Sequence, residues 1–252
     1  MRNQTRNQTR NQAVILNVPV DAVTPEEALS ALLGFLREEP PRPRLLVTPN
    51  PEMIMLANRD AGFMRIMRSA DLVVPDGVGV VLASRLGKVK IRGRVTGCDL
   101  LPALFGKIAE SGRPRSVYLF GAAPGVAEAA RDKLAAKYPG LMFIGARDGY
   151  QTPEREKTMI RDIIAKKPDI LVIGMSMGMA EKWADAHREL PVRLAACVGG
   201  AIDVWSGKIR RAPRIFRALG LEWLCRLLRQ PSRWRRQLIL PVFAWRVIRG
   251  RK

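Results

Sequence analysis

Short apolar runs alternate with segments of helical period along most of this chain. Val14–Val18, Leu45–Thr48, Leu72–Val74, Val117–Phe120, Met142–Ile144, Ile170–Ile173 and Leu194–Val198 are the predicted strands. Most are apolar without alternation, the pattern of strands covered on both faces. Between them lie predicted helices. The first, Pro25–Glu39, has Thr24 as N-cap, Pro25 at the first helical position and Glu27 at the third, a capping-box arrangement. Others are expected over 51–69, 78–86, 98–111, 125–138, 153–167 and 179–189. Alternation of this kind predicts an α/β fold, a mostly parallel sheet flanked by helices.

After Gly207 the pattern changes and no further strand is evident. Residues 214–230 read as one amphipathic helix: Ile215, Phe216, Leu219, Trp223, Leu224, Leu227 and Leu228 are apolar, with arginines interspersed, and Pro231 stops it. The segment RWRRQLILPVFAWRVIRGRK follows, with tryptophans among arginines. A boundary is expected near 205–212. This divides the chain into a leader (1–12), a core (13–204) and a basic helical C-terminal appendage (205–252).

Charge sharpens that division. The formal net charge of +20 is concentrated at the end. From Val204 to Lys252 there are 14 Lys/Arg and one acid, Glu222, a net +13, while residues 13–203 carry only about +4. Such a module must face something anionic: lipid headgroups, nucleic acid or a phosphorylated substrate. Trp223, Trp234 and Trp245 among the arginines favour a membrane interface over simple solvation. No known nucleic-acid-binding motif is present. Nothing approaches the ~18–20 apolar residues of a membrane span. The tandem repeat MRNQTRNQTRNQ lacks the apolar core of a signal peptide and is expected to be a disordered leader. Three widely spaced cysteines, Cys98, Cys197 and Cys225, form no disulfide framework, which points to a reducing compartment. One histidine, His187, argues against a His-rich metal site.

Five polar or glycine-rich loops follow five of the strands, where ligands bind in open α/β sheets. In Thr48-Pro49-Asn50-Pro51-Glu52 a polar lip can hold hydroxyls or phosphate, or the prolines and a cap simply start a helix. In Val74-Pro75-Asp76-Gly77-Val78-Gly79, Asp76 suits a general base or a helix N-cap. Phe120-Gly121-Ala122-Ala123-Pro124-Gly125 can offer backbone N–H groups to a diphosphate, although it is neither GxGxxG nor a P-loop. Gly145-Ala146-Arg147-Asp148-Gly149-Tyr150 is a substrate loop or a plain turn. In Gly199-Gly200-Ala201-Ile202-Asp203 the glycines admit a ligand to the backbone, and Asp203 can accept bonds from a nucleotide. Together they describe one cleft along a sheet edge. GMSMG around Ser176 fits the nucleophile-elbow spacing, but His187 follows only eleven residues later, too near for a hydrolase triad. The missing GxGxxG after the first strand counts against a dinucleotide enzyme.

In sequence order, TPNPE, ADLVVPDGVGVV, RVTGCDL, LFGAAPGV, GARDGY, PDILVIGM, EKWA, VGGAIDVWSGKIRRAP and GLEWLCRLLRQPSRWRRQ resemble the WecG/TagA/CpsF bacterial glycosyltransferases from about Ala13 to Ile248. The resemblance implies a Rossmann-like core and an inverting transferase that needs no metal and no cofactor. The implied donor is a UDP-sugar: N-acetylmannosamine, its uronic acid, or glucose. The implied acceptor is an undecaprenyl-diphosphate-linked saccharide of a cell-surface polysaccharide. By position, Asp76 falls on the family's proposed base, and Thr48, Asn50 and Arg94 on pocket residues. Asp203 and the Gly121–Gly125 loop fall in its nucleotide site, with Tyr150 beside them. Arg226, Arg233 and Arg236 match arginines of an appendage that docks on the membrane and completes the site. Self-association through the core and a cytoplasmic location at the inner face of the plasma membrane are also implied, with no nucleic acid as partner. The chain departs from the family at Gly178-Met179-Ala180, where Pro-Lys-Gln is usual, so a side-chain amide of the pocket is missing. The alternative is a non-catalytic α/β protein that binds nucleic acid or another anion through its tail.

Overall fold

Leu16 and Asn17 both adopt positive φ, 47° and 66°, and this pair folds the expected Val14–Val18 strand back on itself. Two consecutive left-handed residues make the tight turn that suits the twist of a hairpin. The result is β1 (Gln12–Ile15) antiparallel to β2 (Val18–Asp21), separate from the main sheet. Gln12, expected in the leader, opens β1. Arg10 donates to Asp21 and to the carbonyls of Ala70 and Asp71. The computed structural model describes residues 10–231 and 234–250; the rest of the expected leader lies outside them.

The main sheet has six strands: β3 (Arg44–Val47), β4 (Leu72–Val73), β5 (Arg115–Gly121), β6 (Leu141–Arg147), β7 (Ile170–Gly174) and β8 (Leu194–Cys197). Their order is β4-β3-β8-β7-β5-β6, and every neighbouring pair is parallel. This is the expected Rossmann-like sheet with helices on both faces. Successive side chains point to opposite faces. Leu46, Val117, Leu119, Ile170, Val172, Leu194 and Ala196 enter one core, with α1 (Pro25–Arg37), α5 (Gly97–Glu110), α6 (Val126–Lys137) and α9 (Ala201–Trp205). Leu45, Val47, Tyr118, Phe120, Leu171, Ile173, Ala195 and Cys197 enter the other. That core is covered by the hairpin, α2 (Pro51–Ala57), α3 (Ala61–Ser69), α4 (Val78–Ser84), α7 (Pro153–Lys166) and α8 (Met179–Ala186). Two apolar faces explain why these strands show no polar alternation.

The capping box at Thr24 and Glu27 forms as expected, with both reciprocal bonds present. The expected helix 51–69 is two helices, because Asp60 caps the Phe63 N–H at 2.9 Å and starts α3 afresh. The expected helix 214–230 is also broken. Gly220, at φ +71°, separates α10 (Arg214–Ala218) from α11 (Glu222–Arg229). Then come α12 (Trp234–Gln237) and α13 (Ile239–Arg249). Pro241 sits in the first turn of α13, where a missing N–H costs nothing. Helix α13 packs on α2 and α4 and buries Phe243 to 4% exposure. The C-terminal segment thus folds back over the carboxyl edge of the sheet.

Candidate active site

The loops leaving the sheet strands at that edge line a cleft of ≈ 960 Å³, which the C-terminal segment walls on the far side. Thr48, Asn50, Asp76, Arg94, Tyr150, Asp203, Arg226 and Arg236 all line it. Gly121 and Gly125 do not, although Ala122 and Ala123 between them do. Arg233 lies outside the described residues.

At the end of β3, Thr48 is buried and donates its hydroxyl to the Cys197 carbonyl at 3.2 Å. Asn50 caps α2 by accepting from the Met53 N–H at 3.0 Å, so it both starts a helix and faces the cleft. At the end of β4, Asp76 takes the other course. The N-cap of α4 is Gly77, and among the described residues no hydrogen bond is recorded to the Asp76 carboxyl. Its backbone N–H is held by Pro49 O at 3.0 Å. Burial among protein atoms, with Glu222 and Asp99 nearby, pushes its pKa up to about 8 against the pull of Arg94 and Arg211. The residue keeps partial exposure to the cleft, so the carboxyl is desolvated yet reachable.

The loop after β5 is fixed from both sides. Gly121 has φ +133°, and a Cβ there would lie 2.3 Å from the Gly174 carbonyl oxygen. The Ala122 N–H donates to Gly174 O at 2.9 Å, and its own carbonyl accepts from Gly149 at 2.9 Å. Ala122, at φ 59°, is held in a conformation that non-glycine residues rarely adopt. In the next loop Asp148 accepts from the Tyr150 N–H and from Arg155, and Tyr150 stands at the rim, 72% exposed. After β8, Gly200 lacks a Cβ where the Arg226 Nη2 lies 2.9 Å away, beside Asp203.

A charge network links the two walls. Arg94 pairs with Glu222 at 2.5 Å. Arg211 pairs with Asp99 and approaches Glu222 at 3.5 Å. Arg236 pairs with Glu52 at 2.7 Å. Lys208, Arg210 and Arg229 also line the cleft, where seven Lys/Arg side chains face five carboxyls among the described residues. A site of this make-up suits an anionic, diphosphate-bearing ligand.

The family model for the glycosyl transferase WecG/TagA/CpsF family matches residues 13–252. The chain belongs to that family. It is similar to N-acetylglucosaminyldiphosphoundecaprenol N-acetyl-β-D-mannosaminyltransferases from three organisms. The Bacillus spizizenii protein is 34% identical over 81% of this chain and 78% of its own length. The Bacillus subtilis protein is 32% identical over 82% and 80%. A Staphylococcus aureus protein is 31% identical over 94% and 92%. A glycosyltransferase cleft is thus the frame for the residues above.

Reasoning from sequence alone missed several cleft residues of this family member. Glu222, in sequence only the sole acid of a basic tail, lies at the centre of the network. Arg211 and Glu181 also line the cleft, and Glu52 of the expected polar lip does so as the partner of Arg236. Their signal was weak because each depends on which chain segments meet across the cleft. Ser176 also lines the cleft, while His187 stacks on Trp183 with ring centroids 4.2 Å apart and its Nδ1 lies 2.8 Å from Trp183 O. No three His, Cys, Asp or Glu side chains come together as a metal site among the described residues. No helix among them is long and apolar enough to cross a membrane.

Proposed function

We propose that this protein transfers N-acetylmannosamine, or a close relative of it, from a UDP-sugar to a polyprenyl-diphosphate-linked saccharide, with inversion at C1 and without a metal. The observation that carries this reading is Asp76: a carboxyl with no hydrogen bond among the described residues, desolvated, open to the cleft, and close to Arg94 and Arg211. The named activity of the relatives supports both the sugar and the acceptor class.

In this reading Asp76 takes the proton of the acceptor hydroxyl as that oxygen attacks C1 of the donor sugar. The bond from C1 to the diphosphate oxygen breaks on the opposite face. The charge that develops on the departing UDP is met by Arg226 beside the Gly199–Gly200 turn and by backbone N–H groups of the Ala122–Ala123 loop. Arg94, Arg211 and Arg236 serve the acceptor's diphosphate. A base with a pKa near the working pH takes the proton with useful driving force.

The C-terminal segment docks on an anionic membrane at the inner face, where the lipid acceptor resides. Nine of the sixteen exposed large apolar side chains of the described residues lie from Ile215 onward. Arg235 and Arg249 lie over the rings of Trp234 and Trp245 at 5.6 and 4.8 Å. Apolar bulk mixed with arginine is the composition of an interfacial helix.

The test is UDP release from a panel of UDP-sugars, with a short-chain polyprenyl-diphosphate-sugar acceptor and with chelator present. Acceptor-dependent release from one donor, lost in Asp76→Asn, is the expected result. No release from any donor, and no UDP binding, would overturn the proposal.

A further inference from the structure

Glu181 is the third residue of α8, close behind the carboxyl end of β7. Its side chain lines the cleft, yet the residue is only 4% exposed. One carboxyl oxygen, Oε2, is buried without any hydrogen-bond partner among the described residues. Buried polar atoms are rarely left so, because the lost hydration is not replaced. Among the described residues it makes no ion pair, unlike Asp60, Asp99 and Glu52.

The bland explanation is helix capping. Glutamate at the third position can reach back to the N-cap backbone, and the N–H groups of Gly178 and Glu181 do favour its charged form. They do not prevail. Burial dominates and pushes the pKa up to about 7. Capping also leaves the second oxygen unexplained.

Position along the sheet edge supplies the explanation. The loops proposed for the nucleotide and its diphosphate follow β5, β6 and β8, and Asp76 follows β4 at the far end of the order β4-β3-β8-β7-β5-β6. Glu181 follows β7, flanked by the Ala122–Ala123 loop after β5 and the Gly199–Gly200 turn after β8. Its charge is felt by Cys197 at the end of β8. A Cβ on Gly178 would meet Leu56 of α2 at 2.8 Å, so the start of α8 packs on the helix that follows β3. A carboxylate repels the diphosphate held on either side of it, so the donor group left to partner Glu181 is the adjoining sugar.

We propose that Glu181 binds the donor's sugar ring, its Oε2 accepting a hydrogen bond from a ring hydroxyl or from the acetamido N–H. This rests on the transferase reading above and adds a specificity residue to it. Met175, Ser176 and Met177 line the cleft around it, and a small shift of this loop admits the sugar to the buried oxygen. Carboxylates accept two strong bonds from vicinal hydroxyls, so this residue discriminates between sugars rather than nucleotides.

The experiment compares wild type, Glu181→Gln and Glu181→Ala by calorimetric titration with UDP and with UDP-N-acetylmannosamine, and by urea unfolding. The expected result is UDP affinity within twofold of wild type for both variants. UDP-sugar affinity falls tenfold or more for the alanine variant and less for glutamine, which keeps one acceptor oxygen. Neither variant is less stable than wild type, since each removes a buried carboxylate with one unpartnered oxygen. Equal losses for UDP and UDP-sugar, or a stability loss with unchanged sugar preference, would assign Glu181 to the cap and overturn the inference. Absence of UDP binding in wild type would instead defeat the transferase reading, and this inference with it.

Discussion

Arg94 of the core and Glu222 of the C-terminal segment form an ion pair at 2.5 Å inside the cleft, next to Asp76. The pair does two things to the base. Glu222 adds negative charge that raises the Asp76 pKa, and it occupies the guanidinium that would lower it. Replacing Glu222 with Gln removes the first effect and frees Arg94. The base then ionises at lower pH. The acidic limb of the kcat/KM profile is expected to move down by about one unit, a roughly tenfold gain at pH 6 by the pKa arithmetic. A profile with the wild-type midpoint in Glu222→Gln would show that the pair does not govern the base.

Asp76 itself gives two separable effects. Asp76→Asn is expected to lower kcat by ~10²–10⁴-fold, the usual worth of a positioned base, with UDP affinity unchanged. Stability moves the other way. The folded pKa of about 8 lies above the ordinary aspartate value, so the fold favours the protonated form. That contribution is fully present below pH ~4 and is lost as pH rises through about 8, by at most ~1.4 kcal/mol per pH unit. Asp76→Asn abolishes the loss, so the variant's advantage in urea unfolding should widen between pH 5 and pH 8. A constant difference across that range would contradict the raised pKa.

How far these features were legible depends on the distance between the residues that make them. Local chemistry read well. The Thr24 capping box, six of the seven apolar runs and the loops at one sheet edge follow from neighbours in sequence, and the alternation of strands and helices was enough for the parallel sheet. Breaks were harder. Asn17, Asp60 and Gly220 each interrupt what looked like one continuous element, because an apolar stripe continues across the break. For Asp76, sequence left cap and base equally open; the position of Gly77 as the N-cap of α4 decides the local question. Glu222 was invisible as a site residue because its partners lie 128 and 11 positions away on segments whose meeting no periodicity encodes.

Gly121 and Gly125 separate a packing requirement from a backbone requirement. Both have positive φ, but a Cβ on Gly121 would overlap the Gly174 carbonyl, whereas one on Gly125 meets nothing within 4 Å. Gly125→Ala is expected to cost about 1–2 kcal/mol, the left-handed penalty for an L-residue. Gly121→Ala carries that penalty plus forced separation of β5 from β7, so it should cost ~3 kcal/mol or more and weaken UDP binding by displacing Ala122. Equal destabilisation of the two variants would mean that the strands separate without cost.

Membrane docking by the C-terminal segment is best tested without deleting it, because Phe243 and Cys225 are buried and truncation would strip part of the core. Trp234 and Trp245 are 53% and 55% exposed, so replacing both with Ala disturbs the packing far less than truncation does. Binding to vesicles containing anionic lipid should weaken at least tenfold in the double variant, since each ring contributes apolar area at the headgroup level. Raising salt from 0.1 to 0.5 M should weaken wild-type binding further, through screening of arginines each worth ~1 kcal/mol near such a surface. Turnover with a full-length polyprenyl acceptor in vesicles should fall in parallel, while turnover with a short, water-soluble acceptor stays within about twofold. Equal losses with both acceptors would place the tryptophans in the cleft's own architecture rather than at the membrane.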